Sequence, residues 1–150
     1  MRSSQWQEYL DSYYEQKRLE EYQKTRVLAK PNTTKTTVAI YLIIWFGLVF
    51  IGAVGVFSVL HLKVWLDILI LFFYVILVFE TYGRLVSIKI IECYQHYASE
   101  ERRRKCKCIP SCSEYAIICF KKYEMVYALV KIRRRLFVTC QGFDYIIDKP

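Results

Sequence analysis

The sequence has little glycine and little proline, with five glycines and three prolines in 150 residues. This scarcity excludes collagen-like and low-complexity proteins. Hydrophobic residues make up 55% of the chain, too many for an intrinsically disordered protein. The sequence also lacks the G-x-S-x-G, Walker A and H-E-x-x-H motifs. We therefore expect a folded protein that is not an enzyme and needs no cofactor.

Charge is nearly absent from the middle third of the chain. Residues 1–35 carry a net charge of +2, residues 36–82 a net charge of −1, and residues 83–150 a net charge of +7. This separation explains how a chain with 24% charged residues has a positive mean hydropathy of +0.17. We divide the chain accordingly into a polar N-terminal helix and linker (1–35), a transmembrane hairpin (36–82) and a basic helical domain (83–150).

The middle third contains two apolar runs. Residues 36–60 carry no charge, and a second run covers residues 64–82. About 20 apolar residues suffice for a helix to cross roughly 30 Å of hydrocarbon. The three residues between the runs predict a tight turn, so the spans lie at about 38–60 and 64–82. We interpret Asp67 as a residue near the membrane surface, able to pair with Lys63, and keep a membrane-embedded functional carboxylate as the alternative.

Basic residues flank the hairpin on the side of both termini. Lys24 to Lys35 precede the first run and Arg84 to Lys105 follow the second, whereas the turn contains Lys63 alone. The positive-inside rule then places both termini in the cytoplasm and the turn outside.

The N-terminal segment, residues 4–29, contains neither glycine nor proline and predicts a helix. Ser4 and Gln7 form a candidate capping box at its start. One side carries a partial aromatic stripe. The helix could use it to bind a partner or the membrane interface, or it could be a solvated helix that packs against the protein's own domain. The stripe consists of Trp6, Tyr9, Leu10, Tyr13 and Tyr14.

Three helices are predicted after residue 82, which makes the fold all-α. Residues 83–98 are amphipathic and form either an interfacial helix or an ordinary core helix. Ser111 and Glu114 predict a capping box for a helix that starts at Cys112. A third helix is predicted at about 125–138. Its basic residues include Lys131, Arg134 and Arg135, which share one face through i, i+3 and i+4 spacing.

A short motif, CKCIPSCSEYA at residues 106–116, carries the most specific signal. It resembles the hallmark Cys-Arg-Phe-x-Pro-Thr/Ser-Cys-Ser-x-Tyr-Ala of the membrane protein insertion efficiency factors (YidD), which are also described as a haemolytic domain. A third cysteine and a Gly-Phe-Asp sequence near the end also fit that family. The matching positions are Cys106, Pro110, Ser111, Cys112, Ser113, Tyr115, Cys140, Gly142 and Asp144.

The resemblance covers about 65 residues of the C-terminal part and has clear departures. Cys108 replaces the aromatic residue of the hallmark, Glu124 stands about where a turn glycine is usual, and Gln141 follows Cys140 where His-Pro is usual. Members of the family are typically short and peripheral. The resemblance implies a non-enzymatic factor that assists the insertion of nascent membrane proteins near a YidC-type insertase, and it implies the bacterial inner membrane as the location.

Two basic clusters are the candidate contact sites. Lysine and arginine next to a membrane are attracted to anionic lipid by about 1 kcal/mol each. The expected partners are the anionic cytoplasmic leaflet and an insertase, translocon or nascent membrane protein, and we expect no DNA partner. The candidate residues are Arg102, Arg103, Arg104, Lys105, Lys131, Arg133, Arg134 and Arg135.

Four of the six cysteines, at positions 106, 108, 112 and 140, are a conceivable four-thiolate zinc set. Their C-x-C-x3-C spacing is not a standard ligand pattern, so we expect no bound metal but packed thiols or a redox-sensitive pair, with Cys106 and Cys112 meeting across Pro110. The alternative to an insertion factor is a cysteine-based metal- or redox-responsive membrane sensor.

Overall fold

The protein is described by a computed structural model that covers residues 2–60, 64–140 and 145–148. About 81% of the chain is helical, which confirms the all-α prediction. The six helices described are α1 (Arg2–Thr25), α2 (Lys35–Gly55), α3 (Val64–Tyr97), α4 (Glu100–Arg104), α5 (Cys112–Lys122) and α6 (Met125–Arg134). Two-residue strands β1 (Cys108–Ile109) and β2 (Ile146–Ile147) pair in parallel. π-Helical turns, Val56–Leu60 and Arg135–Thr139, extend α2 and α6.

Helices α2 and α3 form an antiparallel hairpin. Both are long and apolar enough to cross a membrane, and few of their residues are buried inside the protein. The hydroxyl of Tyr74 donates a hydrogen bond to the Leu48 carbonyl at 2.9 Å. A Cβ atom on Gly52 would lie only 2.0 Å from Cε1 of Tyr74. The absence of a side chain at Gly52 therefore allows the two helices to approach each other closely.

Helix α3 continues without interruption from the apolar run into the basic region. Its 34 residues correspond to a length of about 51 Å. The sequence suggested a separate amphipathic helix from residue 83, but no proline breaks the helix there. Gly83 is buried close to Phe79 and Met125. The segment 83–97 therefore extends along the axis of the apolar segment instead of turning into the plane of an interface.

The hydrophobic core lies where α5 and α6 pack against the second half of α3. Its buried members are Ile88, Tyr115, Cys119, Phe120, Met125 and Ala128. Polar contacts fix the entry to α6. The carboxylate of Glu80 accepts a hydrogen bond from the backbone N–H of Met125 at 2.8 Å, and Arg84 donates to the Tyr123 carbonyl at 3.3 Å. Glu80 thus caps α6 from a neighbouring helix, where the positive end of the helix dipole favours a carboxylate.

Helix α1 packs on the C-terminal region through polar contacts. Gln16 exchanges two hydrogen bonds with the backbone of Tyr145, at 2.8 and 3.2 Å. Buried Gln23 donates to the Cys106 carbonyl at 2.7 Å, and Arg26 forms a salt bridge with Glu114 at 3.0 Å. Of the two alternatives for this segment, packing on its own domain is therefore observed. The aromatic stripe from Trp6 to Tyr14 remains exposed.

Asp67 lies in the first turn of α3, as the sequence indicated. Its side chain is buried, and its Oδ1 atom has no hydrogen-bond partner among the described residues. The protein itself therefore covers the carboxylate, and its predicted position near the membrane surface stays a prediction. Lys63, the predicted partner, lies outside the described residues.

Candidate functional site

Three segments bring four thiols together at the start of α5. Cys106 precedes β1, Cys108 lies within it, Cys112 is the first residue of α5, and Cys140 follows the π-helical turn after α6. Their Sγ atoms all lie within 4.8 Å of one another. The Cys106–Cys112, Cys112–Cys140 and Cys106–Cys140 distances are 3.4, 3.2 and 3.9 Å. The predicted meeting of Cys106 and Cys112 is confirmed, and four thiols at this spacing could hold a metal ion.

The thiols of the cluster differ strongly in acidity. Hydrogen bonding from Cys112 lowers the pKa of Cys106 to about 5, outweighing burial, with further help from backbone N–H groups. Burial raises the pKa of Cys108 to about 11. Hydrogen bonding to Cys106 and burial both raise the pKa of Cys112. Without a metal, the cluster therefore favours a single thiolate on Cys106, held by protonated neighbours.

Arg135 fixes the turn that carries the cysteines. Its side chain is only 2% exposed, and its guanidinium donates hydrogen bonds to the carbonyls of Pro110 and Asp148. The guanidinium also lies 3.9 Å from the ring centroid of Tyr115. The predicted surface role of Arg135 is therefore wrong: its guanidinium satisfies carbonyls of irregular backbone that would otherwise be buried without partners.

Arg103 is a second basic residue that the structure removes from the predicted surface set. It is 5% exposed, and one of its nitrogens donates to the Gln95 carbonyl at 3.3 Å. Its Nε and Nη2 atoms are buried and have no hydrogen-bond partner within the described part of the chain. Gln95 is also buried and donates to Ser113 at 3.0 Å. The sequence interpretation treated Arg103 as part of an exposed cluster because its neighbours in the sequence are basic.

The capping box predicted at the start of α5 is confirmed. The Ser111 hydroxyl accepts a hydrogen bond from the Glu114 N–H, and the Glu114 carboxylate accepts one from the Ser111 N–H. The same carboxylate pairs with Arg26, so the cap also anchors α1. Through this cap, Ser111 holds Cys112 in place at the first helical position.

The remaining basic residues divide into engaged and exposed groups. Arg104 donates hydrogen bonds to carbonyls at the end of α1, those of Gln23 and Lys24 at 2.8 and 2.6 Å. Lys131 contacts Tyr123, with its ammonium 4.2 Å from the ring centroid. The exposed group, free to face a membrane or another molecule, is Arg102, Lys105, Arg133 and Arg134.

A cavity of about 380 Å³ opens beside the cysteine cluster. Its walls are mainly apolar and come from α3, α5 and α6, including Ile90, Tyr94 and Leu136. Cys106, Cys112, Arg102 and Arg103 line its polar end. The cavity joins an apolar surface to a basic one, a combination that suits an amphiphilic or partly apolar chain.

Sequence reasoning located the motif but missed several supporting residues. Gln16 and Gln23, which tie α1 to this region, gave no signal because a glutamine in a polar helix is ordinarily solvated. Cys108 was not counted with the motif because the hallmark has an aromatic residue there. Gly142 and Asp144 lie outside the described residues.

Comparison with known proteins gives a consistent result for this region. Residues 83–148 match the family described as "Putative membrane protein insertion efficiency factor". Proteins of that name are similar: one from Pelagibacter ubique is 35% identical over 68 residues, covering 39% of this chain and 81% of the relative. One from Campylobacter curvus is 34% identical over 64 residues, covering 43% of this chain and 57% of the relative.

The similarity is confined to part of each chain. A third relative of the same name, from Wolinella succinogenes, is 37% identical over 67 residues, covering 45% of this chain and 59% of the relative. The chain therefore spans less than two thirds of the length of the Campylobacter and Wolinella relatives. No solved structure matches the chain.

Proposed function

Because the chain belongs, through residues 83–148, to the family of membrane protein insertion efficiency factors, we propose that it is a non-enzymatic, membrane-anchored accessory factor. It assists the insertion of nascent membrane proteins at the cytoplasmic face of the bacterial inner membrane, close to a YidC-type insertase. The α2–α3 hairpin crosses the bilayer, and both termini lie in the cytoplasm.

The continuity of α3 is the observation that carries this proposal. One helix supplies both the apolar segment up to Phe79 and, through Ile90 and Tyr94, one wall of the cavity. At 1.5 Å per residue, these two residues lie roughly 16–23 Å along the helix beyond Phe79. The headgroup layer is only about 5–8 Å thick on each side. With Phe79 at the edge of the hydrocarbon and α3 close to the bilayer normal, the cavity would lie outside the headgroups, open to a chain that approaches the bilayer.

Exposed apolar and basic side chains support the same placement. Residues such as Phe46, Phe50 and Phe73 are more than 60% exposed, which suits contact with lipid. Arg102 and Lys105 follow the end of α3, on the side expected to face anionic headgroups. In α6, Val126 and Val130 are also exposed and add to the apolar surface of the C-terminal region.

Site-directed photo-crosslinking during synthesis of a model membrane protein tests this proposal. A crosslinking amino acid replaces Tyr94 or Leu136 at the cavity mouth, and the matched control replaces exposed Lys121 on α5. We expect adducts with the nascent chain and an insertase from the two cavity positions and not from Lys121. Adducts with lipid alone, together with an unchanged insertion rate after deletion of the gene, would contradict the proposal.

The role of the basic surface is separately measurable. Replacing Arg102, Lys105, Arg133 and Arg134 together by Gln should slow insertion without unfolding the protein, since all four side chains are exposed. A matched variant that replaces only the three arginines by Lys and leaves Lys105 unchanged keeps the charge and should keep the wild-type rate. Because dissolved salt screens interactions between exposed charges, high salt should slow insertion by the wild-type protein in the same way as the glutamine substitutions do.

A further inference from the structure

We propose that Cys106, Cys108, Cys112 and Cys140 form a structural site for one tetrahedral divalent zinc ion. This assignment does not depend on the proposed function, because it concerns how the C-terminal region is held together. It also goes beyond the sequence pattern, whose ligand spacing is not one of the standard zinc arrangements.

The distances among the sulfur atoms fit a tetrathiolate zinc centre. Zinc–sulfur bonds of about 2.3 Å in tetrahedral geometry place the sulfurs about 3.8 Å apart. The observed Cys106–Cys140 distance is 3.9 Å, the Cys106–Cys112 distance is 3.4 Å, and no pair exceeds 4.8 Å. Small movements of side chains would equalise these distances. All four cysteines are free, so no disulfide uses a potential ligand.

The surroundings of the cluster provide what an anionic metal centre needs. Zinc with four thiolates carries a net charge of −2, which requires nearby positive charge and N–H donors. Arg103 is buried, two of its nitrogens have no partner among the residues that the structure describes, and it lines the same cavity as Cys106 and Cys112. The Cys112 backbone N–H points to the Cys106 sulfur at 3.3 Å, a typical outer-shell contact of a metal-bound thiolate.

The position of the cluster in the fold explains what the ion would do. Residues 105–107 and 110–111 lie outside helices and strands, and Cys140 follows the π-helical turn that extends α6. Cys106 and Cys108 come from the cysteine turn, Cys112 begins α5, and Cys140 lies at the end of the turn after α6, so one ion would tie these three segments together. With all four ligand positions filled by the protein, no position is left for substrate, which makes the site structural and not catalytic.

Metal analysis of the full-length protein tests this assignment. The chain is purified in detergent from cells grown without added metal, and zinc is measured by mass spectrometry. We expect about one zinc ion per chain in the wild type and in the matched control Cys93→Ser, whose thiol lies outside the cluster. Cys108→Ser should hold zinc at least about tenfold more weakly in competition with a chelator, since even an outer-shell partner contributes that much.

A second measurement guards against variants that fail to fold. Zinc in the wild type is exchanged for cobalt, whose absorption spectrum distinguishes four thiolate ligands in tetrahedral geometry from fewer. A tetrathiolate spectrum supports the assignment. Wild-type zinc content no higher than that of the Cys106→Ser, Cys112→Ser double variant would overturn it, as would recovery of a Cys106–Cys112 disulfide from the cell. Neither readout involves insertion, so the insertion proposal can fail while this one stands.

Discussion

The first half of α3 belongs to the apolar hairpin and the second half to the basic region, and different interactions stabilise these two regions. Across residues 35–60 and 64–82, the described helices bury a single charged side chain, Asp67. The described residues between 83 and 148 bury Gln95, Arg103, Ser111 and Arg135. The hairpin uses apolar contact and one close approach at Gly52, whereas the basic region uses specific hydrogen bonds to irregular backbone.

This difference indicates where each region tolerates change. Apolar side chains on the outer surface of the hairpin can replace one another, because few packing partners within the protein constrain their shape. In the basic region a buried donor cannot be removed without leaving a buried acceptor unpaired. Arginine therefore serves there as a structural residue, although its abundance first suggested a surface for partners.

The largest effect is expected at Arg135. Replacement by alanine leaves the Pro110 and Asp148 carbonyls without their donor and removes the cation from the Tyr115 ring. We expect a loss of about 2–5 kcal/mol in the free energy of unfolding, because each carbonyl left without its donor costs about 1–3 kcal/mol. Denaturation of the detergent-solubilised protein, followed by circular dichroism, measures this.

Arg134→Ala is the matched control for Arg135, because its side chain is exposed on the same helix. A surface substitution of this kind should change stability by less than about 0.5 kcal/mol. Equal losses in the two variants would show that net charge, and not the buried contacts, stabilises this region.

In the hairpin, the largest effect is expected at Gly52. A side chain there meets the ring of Tyr74, which the hydroxyl bond to Leu48 holds in place. Gly52→Leu should therefore push α2 and α3 apart and destabilise the hairpin by about 1–3 kcal/mol, the usual cost of overpacking. Resistance to unfolding in sodium dodecyl sulfate measures this change.

The control for Gly52 is Gly47, where an added Cβ would have no neighbour within 4 Å. Gly47→Leu should be neutral or slightly stabilising, because leucine is the better helix former. Combining Gly52→Leu with Tyr74→Ala should recover part of the loss. Equal sensitivity at positions 47 and 52 would contradict the close approach.

A smaller effect is expected at Glu80, which links the two regions. Its carboxylate caps α6 through the Met125 N–H, while Glu124 at the N-cap position makes no side-chain cap bond. Glu80→Ala should destabilise α6 by about 1 kcal/mol, and Glu124→Ala should have little effect. Amide hydrogen exchange in the first turn of α6 reports the loss of the cap directly. Faster exchange in both variants would show that capping comes from Glu124 instead.

Sequence reasoning predicted the periodic and local features of this protein. The apolar runs, the Ser111–Glu114 capping box and the start of α5 at Cys112 follow from residue type and spacing, which act over a few positions. The burial of Arg103 and Arg135 depends on carbonyls that only the folded chain brings near. The meeting of Cys140 with Cys112 likewise depends on the path of α5 and α6, which no local pattern encodes.

The smallest effect is expected at Glu92, which joins the linker before α2 to α3. Burial opposes ionisation of this carboxyl, yet the bonds from Lys89 and Thr33 outweigh it and lower its pKa. A lowered folded pKa stabilises the protein above about pH 4.5, and this contribution disappears as the pH falls through the folded pKa. Glu92→Gln should cost less than about 1 kcal/mol at pH 7, because the pair is partly solvated. The difference from wild type should shrink as the pH falls below about 4.5 and vanish once the pH is below the lowered folded pKa, whereas Glu101→Gln, at an exposed carboxylate, serves as the control. If the stability difference between wild type and Glu92→Gln grew toward acid pH, the pKa of Glu92 would be raised in the folded protein and not lowered.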